Sequence, residues 1–101
     1  MSVTRIVLYR TSPQHADENA RLIRDVFTEL AAEQPDGLRY ASFRLDDGVS
    51  FVHVAVLDAD HNLLSDSAAF AKFQFGIKDR CADGPAASDA TVIGSYRLLP
   101  E

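Results

Sequence analysis

The stretch Val49 to Leu57 carries apolar residues at both parities. Val49, Phe51, His53, Ala55 and Leu57 fall on one face, and Ser50, Val52, Val54 and Val56 on the other. A strand with one side in water shows a polar face. This one shows almost none, so it reads as a central strand covered on both sides. Val3 to Arg10 also alternates and is rich in β-branched residues, which predicts the first strand. Thr11-Ser12-Pro13 closes it, because proline cannot extend a ladder and Ser before Pro starts helices. Residues 14–34 repeat at helical spacing, with Ala16, Ala20, Ile23, Phe27, Leu30 and Ala31 on one stripe and Leu22 and Val26 beside it. Pro35-Asp36-Gly37 stops that helix. Leu38 to Leu45 is the second strand, turned by Asp46-Asp47-Gly48 into the third. Ser65 or Ser67 caps a second helix running to about Cys81, with Ala69, Phe70, Phe73, Ile77 and Cys81 on its stripe. Residues 82–89, rich in turn formers, read as a loop, and Ala90 to Leu99 as the fourth strand.

The order β-α-β-β-α-β with right-handed crossovers gives a ferredoxin-like α+β sandwich: a four-stranded antiparallel sheet with two helices on one face. All 101 residues are expected to form a single domain. The other sheet face is then bare and apolar. A face of that kind predicts an interface, most simply a homodimer with two sheets facing each other about a two-fold axis. Phe75 lies off the apolar stripe of the second helix, suited either to that interface or to packing under the 82–89 loop.

Charge narrows the partners. The net charge is −5 and the ten Lys and Arg are scattered, which argues against nucleic acid or an anionic membrane as the main partner. No segment approaches the roughly 18 apolar residues of a membrane span, and the N-terminus has no apolar leader pattern. A soluble, cytoplasmic protein is expected. One cysteine, Cys81, leaves no internal disulfide, and its place on an apolar stripe suits a small core residue. Asp58, Asp60 and His61 look like metal ligands, but on a polar loop without a further ligand at diagnostic spacing they read as solvated, so no metal is expected.

Two polar residues point inward. His53 sits mid-strand on the buried run, either as a satisfied core histidine or as a pocket acid–base group. Asn19 falls inside the apolar stripe of the first helix, where a buried amide must find partners in the backbone, water or a ligand. Both are candidate catalytic residues. Tyr9, Tyr40 and Tyr96, one on each of three strands, are candidate linings for an aromatic substrate, since amphipathic rings serve pockets as well as sheets. Arg5, Arg39, Arg44 and Arg97 read as solvated edge positions or dimer salt bridges with acids such as Asp46 and Asp47.

With this order of elements, several strings resemble the antibiotic biosynthesis monooxygenase family of the dimeric α/β-barrel superfamily. They are Pro13-Gln14-His15-Ala16-Asp17-Glu18-Asn19, Gly37-Leu38-Arg39-Tyr40, Asp47-Gly48-Val49-Ser50-Phe51-Val52, Phe70-Ala71-Lys72-Phe73 and Gly94-Ser95-Tyr96-Arg97. The resemblance implies a homodimer whose sheets form a barrel, with a pocket in each subunit between sheet and helices. Some members of that family oxidise polycyclic aromatics with oxygen and no cofactor, and others degrade haem. The chain departs from the pattern where members carry Glu-x-Trp, here Ala55-Val56-Leu57, and where they carry a helix-start His, here near Leu64; it has no Trp at all. Two function classes stay open. One is a cofactor-independent monooxygenase acting on a small aromatic or polyketide-like compound, requiring no flavin because a desolvated phenolate can reduce oxygen directly. The other is a non-catalytic dimeric module that binds a small ligand or is purely structural.

Overall fold

The computed structural model describes residues 2–58 and 63–98. Strands β1 (Val3–Thr11), β2 (Leu38–Arg44), β3 (Ser50–Leu57) and β4 (Cys81–Ala90) form one antiparallel sheet in the order β2-β3-β1-β4. Helix α1 (Ala16–Glu33) follows β1 after a 3-10 turn at Pro13–His15; α2 (Ala68–Gln74) and α3 (Ile77–Arg80) follow β3 after a second such turn at Leu63–Asp66. This is the ferredoxin-like α+β arrangement expected from the sequence. Among the described residues no helix is long and apolar enough to cross a membrane.

The core lies between the helices and one sheet face. Ala16, Ala20, Ile23 and Val26 of α1 and Phe73 of α2 pack on Tyr9 and Phe51. Strand β3 alternates as its sequence requires: Phe51, His53, Ala55 and Leu57 are buried under the helices, while Ser50, Val52, Val54 and Val56 face the other way and are half-buried. On that opposite face Ile6 and Leu8 of β1 and Phe43 of β2 are exposed. The register sets Phe43, Val52 and Leu8 in one row and Ala41, Val54 and Ile6 in the next, so the apolar positions are contiguous.

The chain differs from expectation in its last third. Strand β4 occupies Cys81–Ala90, the segment that reads as a loop, while residues 91–98 lie outside the sheet. An edge strand pairs through backbone on one side only, so it needs neither an apolar pattern nor every N–H, and Pro85 is tolerated there. Two β-bulges, at Leu8/Arg10 and Arg10/Thr11, give β4 extra residues opposite Tyr9 and Arg10. The second helix is likewise not continuous. Phe75 turns extended and Gly76 takes a left-handed φ of 78°, which splits it into α2 and α3. Phe75 projects into solvent at this break, 86% exposed, rather than packing under a loop.

Of the two capping serines considered, Ser67 starts α2: its Oγ accepts from the Phe70 N–H at 3.0 Å. Glu29 of α1 reaches across to the same end and accepts from the N–H groups of Ala69 (2.7 Å) and Ala68 (3.2 Å) and from Ser67 Oγ. A carboxylate at a helix start meets both free donors and the positive end of the dipole. These bonds, led by that to Ala69, hold the Glu29 carboxyl below its usual range. They also fix α2 against α1, and so fix the roof over His53.

Candidate active site

His53 stands in the middle of β3, opposite Val7 of β1 and Ser42 of β2. Two tyrosines flank it diagonally, Tyr9 on one neighbouring strand and Tyr40 on the other, within reach of long side chains across a sheet. Both imidazole nitrogens are engaged. Nε2 lies 2.8 Å from Tyr9 Oη, and Nδ1 lies 2.6 Å from Tyr40 Oη and 2.8 Å from Ser42 Oγ. Asn19, fully buried on α1, donates from Nδ2 to Tyr9 Oη at 2.9 Å. Arg80, at the end of α3 and 5% exposed, donates from Nε to Asn19 Oδ1 at 3.1 Å. The result is one continuous chain of contacts: Arg80, Asn19, Tyr9, His53, then Tyr40 and Ser42.

Burial governs its electrostatics. Desolvation lowers the His53 pKa from 6.5 to about 4, so the ring is neutral at physiological pH. Burial raises Tyr9 far above the usual phenol value against the opposing bond from Asn19, and raises Tyr40 to about 12 against that from Ser42. The phenols therefore stay protonated. Arg80 is held by neutral groups: besides Asn19 it donates to the carbonyls of Phe75 (3.1 Å) and Phe73, and its guanidinium lies 5.4 Å from the centre of the Phe73 ring. Those carbonyls end α2, where a helix dipole favours a cation.

The cluster forms one wall of a cavity of about 460 Å³ between the sheet and α2–α3. Tyr9, Tyr40 and His53, with Arg5 and Gln74, carry its polar side chains, and Leu57, Phe70 and Phe73 much of its apolar lining. The rings around His53 are stacked or tilted, with centroids 5.3 to 5.8 Å from its own for Tyr9, Tyr40 and Phe73. An apolar space with a few converging hydrogen-bonding groups suits a small planar ligand bearing a hydroxyl or carbonyl. A second hollow of about 810 Å³ opens between α1 and β2, lined by Phe27, Phe43 and Phe51 among others. Tyr40 and Ser42 belong to its wall too, with Arg24, Thr28 and Arg44, but His53 and Tyr9 do not.

Solved structures with this architecture span almost the whole chain. A protein from Bacteroides thetaiotaomicron, provisionally named an antibiotic biosynthesis monooxygenase, superposes with a TM-score of 0.78 at 13% identity, covering 99% of this chain and 95% of its own. One from Nitrosomonas europaea with the same provisional name gives 0.72 at 13% identity, over 91% and 90%. A Mycobacterium tuberculosis protein gives 0.73 at 17% identity, over 94% and 98%. The chain has the fold of the antibiotic biosynthesis monooxygenases. No family model matches the sequence, and no curated protein does.

On this monooxygenase fold the five residues singled out from sequence are placed unequally. His53, Asn19, Tyr9 and Tyr40 meet in one network. Asn19 is not on the cavity wall; it stands behind Tyr9 and reaches the cavity only through that hydroxyl. Tyr96 is elsewhere. With β4 ending at Ala90 it falls in the segment beyond the sheet, 79% exposed, its ring beneath the Arg97 guanidinium. Within the chain Arg5 pairs with Asp89 and Arg44 with Asp17. Asp60 and His61 lie outside the described residues, and among the described ones no group of three or more His, Cys, Asp or Glu could hold a metal ion.

Two members of the network escaped the sequence reading. Ser42 shares a strand face with Tyr40, two residues on, and the hairpin register that sets it beside His53 was the available signal. Arg80 lies seven residues after Phe73, within about 20° of it on a helical wheel, so it was a charge on an apolar stripe.

Proposed function

We propose that this protein is a member of the antibiotic biosynthesis monooxygenase family that oxidises a small aromatic or polyketide-like phenol with dioxygen, using no bound metal or flavin. The observation that carries this reading is the neutral, buried His53 held between two phenols on the wall of a mostly apolar cavity. A substrate hydroxyl donates to Tyr9 Oη while Tyr9 passes its own proton to His53 Nε2. The substrate is left as a phenolate in a poorly solvated space, where its charge is least stabilised and its electron most readily given up. One electron passes to dioxygen, the radical pair combines to a peroxide, and the peroxide collapses with return of the proton. For an anthrone-like substrate the balance is a CH₂ group and O₂ to a C=O group and water.

We further propose that the protein works as a homodimer joined through the outer sheet face. The rows of Phe43, Val52 and Leu8 and of Ala41, Val54 and Ile6 form a contiguous apolar surface of the sort that marks an interface. The segment after β4 supports this, since Val92, Ile93 and Leu98 are exposed in the single chain.

A non-catalytic module that binds a small aromatic ligand is the second reading. It is favoured by the internal satisfaction of the network: among the described residues no buried side-chain polar atom lacks a partner. Oxygen uptake with a panel of hydroquinones and anthrones separates the two. Uptake by the native protein that falls at least tenfold in His53→Ala supports the oxygenase. Saturable binding of the same compounds without uptake assigns the cavity to the ligand-binding module.

A further inference from the structure

The hydrogen-bond directions at the Arg80 end of the network are fixed by its donors. An arginine can only donate. Arg80 Nε therefore requires the oxygen of the Asn19 amide, which turns the amide nitrogen toward Tyr9. That nitrogen can also only donate, so Tyr9 Oη is the acceptor of this bond and its own hydrogen is free for the next. The next contact is His53 Nε2 at 2.8 Å. With the Tyr9 hydrogen directed along that line, Nε2 carries the lone pair and the proton of the neutral ring belongs on Nδ1. There it meets two oxygens able to accept, Tyr40 Oη and Ser42 Oγ.

We infer that Arg80 is a positioning residue that, through Asn19 and Tyr9, holds His53 as the Nδ1–H tautomer with the basic lone pair of Nε2 directed at Tyr9. Arg80 is itself locked. Its other two nitrogens donate to the carbonyls of Phe73 and Phe75, and its plane rests on Phe73, so turning away from Asn19 breaks its bonds to the end of α2. The charge on the apolar stripe of the second helix thus has a task at a ring on the far side of Asn19 and Tyr9. Its bearing on catalysis rests on the oxygenase reading, in which Nε2 receives the substrate's proton by way of Tyr9. The tautomer does not depend on that reading.

Asn19→Asp reverses the wire with the least change of shape. A carboxylate only accepts, so the Tyr9 hydroxyl must donate to it, and Nε2 must donate to Tyr9. Arg80 keeps its partner. Two-bond proton–nitrogen correlations of histidine-labelled protein near pH 7 read which ring nitrogen bears hydrogen. The native protein is expected to show His53 with hydrogen on Nδ1, and Asn19→Asp with hydrogen on Nε2. A purely structural Arg80 and Asn19 would leave the tautomer unmoved. The inference is overturned by hydrogen on Nε2, or on both nitrogens, in the native protein, or by a folded Asn19→Asp that keeps hydrogen on Nδ1. Where Asn19→Asp does not fold, the native spectrum decides. Absence of oxygen uptake would sink the oxygenase reading and leave these spectra as they are, so the two failures are distinguishable.

Discussion

Burial denies His53 its charge, and that has a measurable cost in acid. Its pKa is about 4 in the folded protein against 6.5 in the free residue, so the unfolded chain takes up a proton between those values and the folded one does not. The stabilising contribution is complete above about pH 6.5 and is lost as pH falls toward 4. From a shift of that size it amounts to about 3 kcal/mol. Replacing His53 with Gln removes the titration, so denaturant unfolding from pH 7 to pH 4.5 should fall less steeply for the variant than for the native protein. Parallel slopes would refute the buried neutral ring. His53 and Asn19 could be picked from sequence because each interrupts an otherwise apolar face. Their meeting could not, because it depends on Tyr9, a residue that reads as an ordinary strand tyrosine until the packing of α1 on β1 sets its hydroxyl between them.

Among the elements, β4 shows where local pattern loses to pairing. Ala82-Asp83-Gly84-Pro85 is turn chemistry by composition, yet these residues belong to a strand because β1 supplies a partner edge. The bulge keeps some of that turn character. Gly84 has φ of 91°, and a Cβ there would come within 3.0 Å of Tyr9 Cβ and 3.1 Å of the Leu8 carbonyl oxygen. Glycine lets β4 pass directly over the backbone that carries Tyr9, the neighbour of His53. Gly84→Ala adds a disfavoured φ and a backbone clash, each worth about 1 to 3 kcal/mol. A loss of at least 2 kcal/mol in denaturant unfolding is expected, with Tyr9 displaced from His53. A neutral substitution would show that the bulge is free to shift. The first three strands and α1 were legible because each has an apolar face to bury. The second helix was legible in its cap and stripe but not in its break, since Gly76 is as compatible with a weak helix as with a left-handed residue that splits one.

For the molecule as a whole, the β3 sequence demands more than one chain supplies. Phe51, His53, Ala55 and Leu57 are buried by the molecule's own helices; Val52, Val54 and Val56 belong to the face those helices do not cover. A stable protein interface buries about 1,200 to 2,000 Å², roughly half from each partner, and a four-stranded sheet face is of the right order to supply one side. Val54 sits near its centre, with Ile6 and Ala41 opposite it on either side. A charge there has little to disturb within one chain, because the side chain points away from the core. Across a two-fold axis it would meet the same patch of the second copy and bury a carboxylate with no partner, at a penalty of several kcal/mol. Val54→Glu should therefore sediment as a monomer at micromolar concentration, where the native protein is expected to sediment as a dimer, and should retain its far-ultraviolet spectrum. The native melting temperature should rise with concentration and that of the variant should not. A native protein already monomeric under these conditions, or a Val54→Glu variant still dimeric, would move the interface off this face. The exposed apolar residues of 91–98 would then be the place to look for it.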